Sequence, residues 1–344
     1  MVKANNKSII FWKEPEEYPI PGEHFGVELR EIDENLDDNE VRTRNLYISL
    51  DPYLRGRMKG FRANYISGFQ IGQKFDNLGI GEVVASRNPK IPVGSIVVGF
   101  LGWEEYSRVP ATSQLKIIEG ARESKFPFSS WVGVLGMPGF TAYASLLEIG
   151  KPKAGETIFV SAASGAVGQL VGQIAKRLGL RVIGSAGSDD KVAYLLKDLK
   201  FDAAFNYKKG NILESLRAAA PEGIDIYYEN VGGETLEAAL EVLNIHGRIV
   251  ASGMISGYNT STPYGIKNLI HVVMKRIRFE GFVVNDFSAE TREKFEKDVS
   301  AWLQNGEIIY KEDVTVGLEN APDAFLGLLQ GKNFGRAVVK ITDL

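Results

Sequence analysis

The segment TIFVSAASGAVGQLVGQIAKRLGLRVIGSAGSDDK, residues 157–191, decides how this chain folds. Its first six residues, 157–162, form a β-branched run ending in small side chains, the pattern of a strand buried on both faces of a parallel sheet. Gly165 and Gly168 then bracket Ala166 and Val167. From Gly168 onward Leu170, Val171, Ile174, Ala175 and Leu178 recur at helical spacing until Gly179 ends the pattern. A helix start with so little side-chain bulk is an anion site, and a diphosphate suits it better than a neutral group. A second β-type run, 181–186, arrives at the distance that a mononucleotide-binding unit requires.

The usual dinucleotide fingerprint is G-x-G-x-x-G, whereas ASGAVG at 163–168 carries alanine in the first position. An ordinary strand, turn and helix packed on small residues would explain these six residues alone; the strand that follows favours the nucleotide. An NAD enzyme places Asp or Glu about 20 residues past the first glycines to hold the ribose hydroxyls. Here Ser185, Ala186 and Gly187 leave room, and Lys191 supplies positive charge one helical turn on, so NADP(H) is the expected cofactor. Asp189 and Asp190 point the other way, although carboxylates at a helix start are also routine caps.

With 344 residues the chain exceeds the size at which one hydrophobic core keeps growing, and two domains are expected. A net charge of −3 gives no electrostatic reason for a nucleic acid or an anionic membrane as partner. The first residues lack the apolar core of a signal peptide, and no run approaches the roughly 18 apolar residues that span a bilayer, which leads to the expectation of a cytoplasmic protein. There is no cysteine, hence no disulfide, thiol nucleophile or thiolate zinc site. His24, His246 and His271 lie far apart without ligand-like spacing, so metal-independent chemistry is expected.

Up to about residue 130, short β-type runs at 8–12, 25–32, 40–49, 80–86, 96–101 and 105–110 are broken by glycine and proline, as in an antiparallel barrel or sandwich. Within it, SLDPYLRGRM (49–58) mixes aromatic, apolar and basic residues on a loop, and Tyr53 and Leu54 either line a site or cover the barrel end. Past 157–191 the alternation continues, with strands at 203–206, 224–229, 248–253 and 278–284 and helical stretches at 212–220 and 236–243. Six strands in alternation with helices make an α/β doubly wound parallel sheet, whose ligands sit at the carboxyl ends of its strands. Those ends carry Tyr207, Asn230 with Val231-Gly232-Gly233, the loop 252–259, and 282–284. The β-type runs 312–316 and 337–341 are expected to rejoin the first domain, giving boundaries of 1–134, 135–309 and 310–344.

Taken together, SLDPYLRGRM (49–58), GMPGFTAY (136–143), AASGAVGQLVGQIAK (162–176), GSAGSDDKV (184–192), FNYK (205–208), YENVGGETLEAAL (228–240), GRIVASGMISGYN (247–259), EGFVVNDF (280–287) and GKNFGRAVVKI (331–341) cover nearly the whole chain. In that order they resemble the zinc-independent medium-chain dehydrogenase/reductases, in the branch of leukotriene hydroxydehydrogenase, prostaglandin reductase and alkenal double-bond reductase. The resemblance implies a GroES-like β-barrel catalytic domain joined to a Rossmann domain, with NADPH between them, reducing the carbon–carbon double bond of α,β-unsaturated aldehydes or ketones. It implies that Gly165, Ala166, Val167 and Gly168 meet the diphosphate, and that Lys191 and Tyr207 hold the adenosine phosphate end. Asn230, with Ser252, Gly253, Met254 and the rest of the loop to Tyr258, would follow the cofactor inward. Phe282, Val283 and Val284 would support the nicotinamide amide, Asn333 would reach the phosphates or ribose, and Tyr53 and Met137 would line the substrate pocket.

Hydride delivery to the β-carbon of an enone puts negative charge on the carbonyl oxygen, so the site needs a positioned hydrogen-bond donor. Tyr258, just past a strand end and similar to the family's active-site tyrosine, is the candidate; its alternative is packing on the cofactor. Solvent or a ribose hydroxyl would then protonate the α-carbon. Gly257 departs from the larger polar residue of many relatives, which bears on substrate preference. The rivals are quinone reduction, as in the zeta-crystallin-like branch, and NADPH binding without turnover. A symmetric homodimer through the edge strand near 278–284 is expected by the same resemblance.

Overall fold

A computed structural model describes residues 5–32, 34–59 and 66–344. Seven strands come first: β1 (Asn5–Phe11), β2 (Phe25–Glu31), β3 (Val41–Ser49), β4 (Asp76–Ser86), β5 (Ile96–Gly102), β6 (Tyr106–Val109) and β7 (Lys116–Ile117), with one helical turn, α1 (Leu54–Arg57), between β3 and β4. All of them pair antiparallel, β1 with β2, β3 with β4 and β6, and β5 with β4 and β7.

The chain then alternates. It runs through α2 (Met137–Ser145), β8 (Thr157–Val160), α3 (Gly168–Arg177), β9 (Arg181–Ala186), α4 (Asp189–Lys197), β10 (Ala203–Asn206), α5 (Ile212–Ala219) and β11 (Ile224–Glu229). It continues through α6 (Gly233–Val242), β12 (Leu243–Ala251), α7 (Ile270–Met274), β13 (Arg278–Gly281) and α8 (Ala289–Gln304). Last come β14 (Glu312–Val316), α9 (Ala321–Leu329) and β15 (Arg336–Lys340). Two units result, Met1–Gly133 with Glu312–Leu344, and Val134–Lys311.

In the first unit β15 adds to β3 antiparallel, and β14 pairs with β15 in parallel. Between these two strands α9 makes the crossover that lets successive strands run the same way. Its core gathers Phe11, Phe25, Phe69, Phe75, Trp103 and Phe325, with Trp103 edge-on to Phe325 at 5.8 Å. The second unit is a six-stranded parallel sheet in the order β10-β9-β8-β11-β12-β13. The chain starts at β8, winds out to β10 and restarts at β11 on the other side, so the switch point lies between β8 and β11, where open α/β sheets bind ligands. Phe159 and Tyr227 stack across these two strands at 5.1 Å.

Three strands of the second unit stop before the residue at which the sequence reading ends them. β8 stops at Val160 because Ala162 adopts a φ of 47°. β12 stops at Ala251, since the amides of Ser252 and Gly253 both donate to Glu229 O, at 2.9 and 3.1 Å. β13 stops at Gly281, because the Asp286 carboxylate takes the Val283 amide at 2.9 Å and starts the 3-10 turn Val284–Asp286.

Candidate active site

The turn after β8 is held by main-chain contacts. Ala163 N–H donates to Ser185 O, fixing the turn to the end of β9, and Gly165 N–H donates to Ala162 O, both at 2.9 Å. A Cβ at Gly168 would lie 2.6 Å from Ala162 O and 2.8 Å from Ala163 Cα, so α3 begins this close to the strand only because no side chain intervenes. Alanine in the first fingerprint position is accommodated from the neighbouring strand: a Cβ on Gly184 would sit 2.9 Å from that of Ala163. The amides of Ala166, Val167 and Gly168 stand at the N-terminus of α3, where donors have no intrahelical acceptor.

At the end of β9, Ser188 caps α4 by accepting from the Lys191 amide at 3.4 Å, and Lys191 itself is buried. Gly187 lies against Tyr207 and Lys208, since a Cβ there would meet Tyr207 Oη at 3.1 Å and Lys208 Cε at 3.3 Å. Asp189, the residue that argued for NAD, is turned to other partners. Its carboxylate accepts from Asn206 Nδ2 at 2.9 Å and Lys209 Nζ at 2.5 Å, contacts that hold it below the usual carboxylate range.

β8 and β11 are joined at their carboxyl ends. Asn230 donates its amide N–H to Ser161 Oγ at 3.0 Å and its side-chain Nδ2 to Ser161 O at 2.7 Å. Beneath it the buried Glu229 accepts through Oε1 from Tyr227 Oη, Val231 N and Gly232 N, at 2.7, 2.6 and 2.8 Å. Its Oε2 has no hydrogen-bond partner among the described residues, and burial raises its pKa. Gly232, at a φ of 74°, brings this turn against Met254, whose Cβ would lie 3.0 Å from any Cβ there. Tyr258 then folds back through the 3-10 turn Ile255–Gly257, its hydroxyl 3.3 Å from where a Gly253 Cβ would stand and accepting a long hydrogen bond from Met254 N–H, 3.4 Å. Burial is the main reason that its pKa lies above the ordinary tyrosine value.

Thus 165–168, Asn230, Ser252, Gly253, Met254 and Tyr258 gather at the carboxyl ends of β8, β11 and β12, while Lys191 and Tyr207 stand at those of β9 and β10. Phe282 packs on Phe287 at 5.4 Å beyond the edge strand, with Val283 and Val284 beside it, and Met137 opens α2. Tyr53 and Asn333 belong to the first unit. Tyr53 precedes α1 and donates its hydroxyl to Asn77 Oδ1, and Asn333 donates Nδ2 to Gly335 O at 2.8 Å. Sequence reasoning passed over Glu229, Lys208 and Asn77. A carboxylate closing the apolar run IDIYYE is a legible signal for Glu229, and Lys208 directly follows Tyr207. Asn77 offers none, because its partners Tyr53 and Asp51 are remote in sequence.

Two family profiles match the chain, one described as the N-terminal domain of oxidoreductase over residues 7–117, the other as zinc-binding dehydrogenase over 166–305. The 2-alkenal reductase (NADP(+)-dependent) of Nicotiana tabacum is 43% identical over 345 residues, covering 99% of this chain and 98% of the relative. The chain belongs to the zinc-independent medium-chain dehydrogenase/reductase family. This medium-chain reductase is also similar to the NADP-dependent oxidoreductase RED1 of Cochliobolus heterostrophus, at 47% identity over 350 residues and 98% of both chains. Among solved structures, CurA of Vibrio vulnificus in complex with NADPH superposes with a TM-score of 0.90 at 39% identity, covering 98% of this chain and 100% of that one. The donors for zinc do not fit in this medium-chain reductase: it has no cysteine, and no three His, Asp or Glu converge among the described residues.

Proposed function

We propose that the enzyme uses NADPH to reduce the carbon–carbon double bond of α,β-unsaturated aldehydes and ketones. NADPH, which supplies the hydride when bound, fits the residues present. The turn at Gly168 is a cradle that a Cβ would fill, the N-terminus of α3 offers amide donors to a diphosphate, and Lys191 with Lys208 and Tyr207 offers charge and a hydroxyl to the adenosine phosphate. Asn230, Ser252, Gly253 and Met254 would continue this surface, Phe282, Val283 and Val284 would back the nicotinamide amide, and Asn333 would hold the phosphates or ribose. Support for the reaction class comes from family relatives named as a 2-alkenal reductase, a curcumin reductase and prostaglandin reductases.

The observation that carries the reading is the hydroxyl of Tyr258. It accepts from Met254 N–H and keeps its own hydrogen to give, at the carboxyl end of β12. As negative charge develops on the substrate carbonyl oxygen, that O–H stabilises it without a proton having to leave the tyrosine. Tyr53 and Met137 would bound the substrate. The test is consumption of NADPH, and of NADH in parallel, with a medium-chain 2-alkenal, a 2-alkenone and a benzoquinone. Preferential turnover of the alkenal or alkenone with NADPH is expected. Turnover of the quinone alone, or NADPH binding with no turnover, would overturn the reading.

We also infer a homodimer. β13 closes the outer edge of the parallel sheet, and α7 before it leaves Leu269, Ile270, Val273 and Met274 exposed.

A further inference from the structure

Among the described residues the buried carboxylates are Glu40, Asp51, Glu104 and Glu229. The first three each face a cation: Arg108 reaches Glu40 at 2.7 Å, Arg336 reaches Asp51 at 2.5 Å, and Lys74 pairs with Glu104. Glu229, 0% exposed, has none. Burial raises its pKa, and only hydrogen bonds from Gly232, Tyr227, Val231 and Ser161 oppose that. All of them fall on Oε1, which leaves Oε2 bare at the carboxyl end of β11. Because the amides of Val231 and Gly232 stand just before α6, Glu229 also closes the start of that helix. Capping accounts for Oε1 alone. It leaves a charge out of water with one oxygen unsolvated and no counter-ion, an arrangement that a folded chain normally avoids.

We propose that the counter-ion of Glu229 is the pyridinium ring of NADP+, so that this carboxylate holds the oxidised cofactor more tightly than the reduced one and makes bound NADPH a stronger hydride donor. This rests on the reading that sets the nicotinamide over Asn230 and the loop 252–258. As the hydride leaves with both electrons of its C–H bond for the β-carbon, the neutral dihydropyridine becomes a cation, and Glu229 stabilises that charge from beneath Asn230. It acts by its field and touches neither reacting atom. Burial first, and the charge of Glu229 after it, raise the pKa of Tyr258, so the field reaches the surface on which the ring would lie.

The test is the pair of dissociation constants for NADP+ and NADPH, followed by protein fluorescence, in the full-length wild type, Glu229→Gln and Glu229→Asp. Glutamine keeps an oxygen for Tyr227 and the two amides and removes the charge. It should raise the Kd of NADP+ about tenfold and leave that of NADPH unchanged, which makes the bound couple about 30 mV less reducing. Aspartate keeps the charge and should keep the wild-type ratio. A role confined to capping α6 would lower Tm and shift both constants together, and a ratio unmoved in Glu229→Gln overturns the proposal. Where Glu229→Gln does not fold, the wild type is read with the benzamide analogue of NADP+, whose ring carries no charge. NADP+ should then bind about tenfold more tightly than the analogue, and equal affinities overturn the proposal. Gly253→Leu checks the placement of the ring, since it adds bulk between Asn230 and Tyr258 and should weaken both forms by about tenfold or more. If it changes neither, the nicotinamide lies elsewhere and the proposal falls with that reading.

Discussion

At Tyr258, burial and a main-chain donor act on one hydroxyl in opposite directions, and burial prevails. The O–H is therefore retained across neutral and mildly alkaline solution, and kcat should stay flat from about pH 7 to about pH 9. Tyr258→Phe removes the donor alone. It should lower kcat with a 2-alkenal by about 100- to 1000-fold while leaving the NADPH Kd in place, measured by steady-state kinetics and fluorescence titration. At the other end of the cofactor, Lys191→Ala and Lys208→Ala should each raise the KM for NADPH by about tenfold or more and leave that for NADH unchanged, since NADH lacks the phosphate they would face. Lys191 was legible from the sequence because its place one turn into a helix after a strand follows from spacing. Lys208 was not, since its approach to Gly187 depends on how β10 lies beside β9, and periodicity says nothing of that.

Two glycines near the site make opposite demands on their elements. At Gly168 an added Cβ would strike the main chain of the preceding turn, which cannot yield without moving α3, so Gly168→Ala should weaken NADPH binding by at least about tenfold and lower Tm. At Gly257 the same methyl meets nothing within 4 Å and φ is not positive, so Gly257→Ala should fold normally and gain about 0.4–1 kcal/mol in denaturant unfolding. The elements around the site were readable where the pattern is strong: β9, β10, β11 and β14 occupy the residues that alternation and β-branching assign. Strand ends closed by side chains were not, as Asp286 at β13 shows. Nor was α8, a sixteen-residue helix that buries only Phe295 and Val299 and so presents too narrow an apolar stripe to read.

Over the whole molecule, the least legible feature is the buried pair Asp51–Arg336, whose members come from opposite ends of the chain. Burial alone would push the Asp51 carboxyl up, but the charge and hydrogen bonds of Arg336, with those of Ser49 and Asn77, outweigh it and hold it below 3.8. Its contribution to stability is thus full above about pH 4 and is lost as pH falls through the lowered value. Arg336→Met leaves the carboxylate buried without its cation and should cost about 3–5 kcal/mol in denaturant unfolding at neutral pH. The sign of the pH dependence should also reverse in that variant, which gains stability as pH falls from about 7 to about 5 and the carboxyl takes up a proton. For the proposed homodimer, sedimentation should find the wild type dimeric, and Val273→Glu with Met274→Lys, which charges the exposed face of α7, should yield monomers. β15, which lies between β14 and β3 and carries Arg336, is also synthesised after the whole of the unit Val134–Lys311. During translation the nucleotide-binding unit is complete while the first unit, though begun earlier, still lacks a strand and the cation that neutralises Asp51. The parallel sheet therefore has all its strands before the first domain does, and a chain cut before β15 would be able to build that sheet but not to complete the first domain.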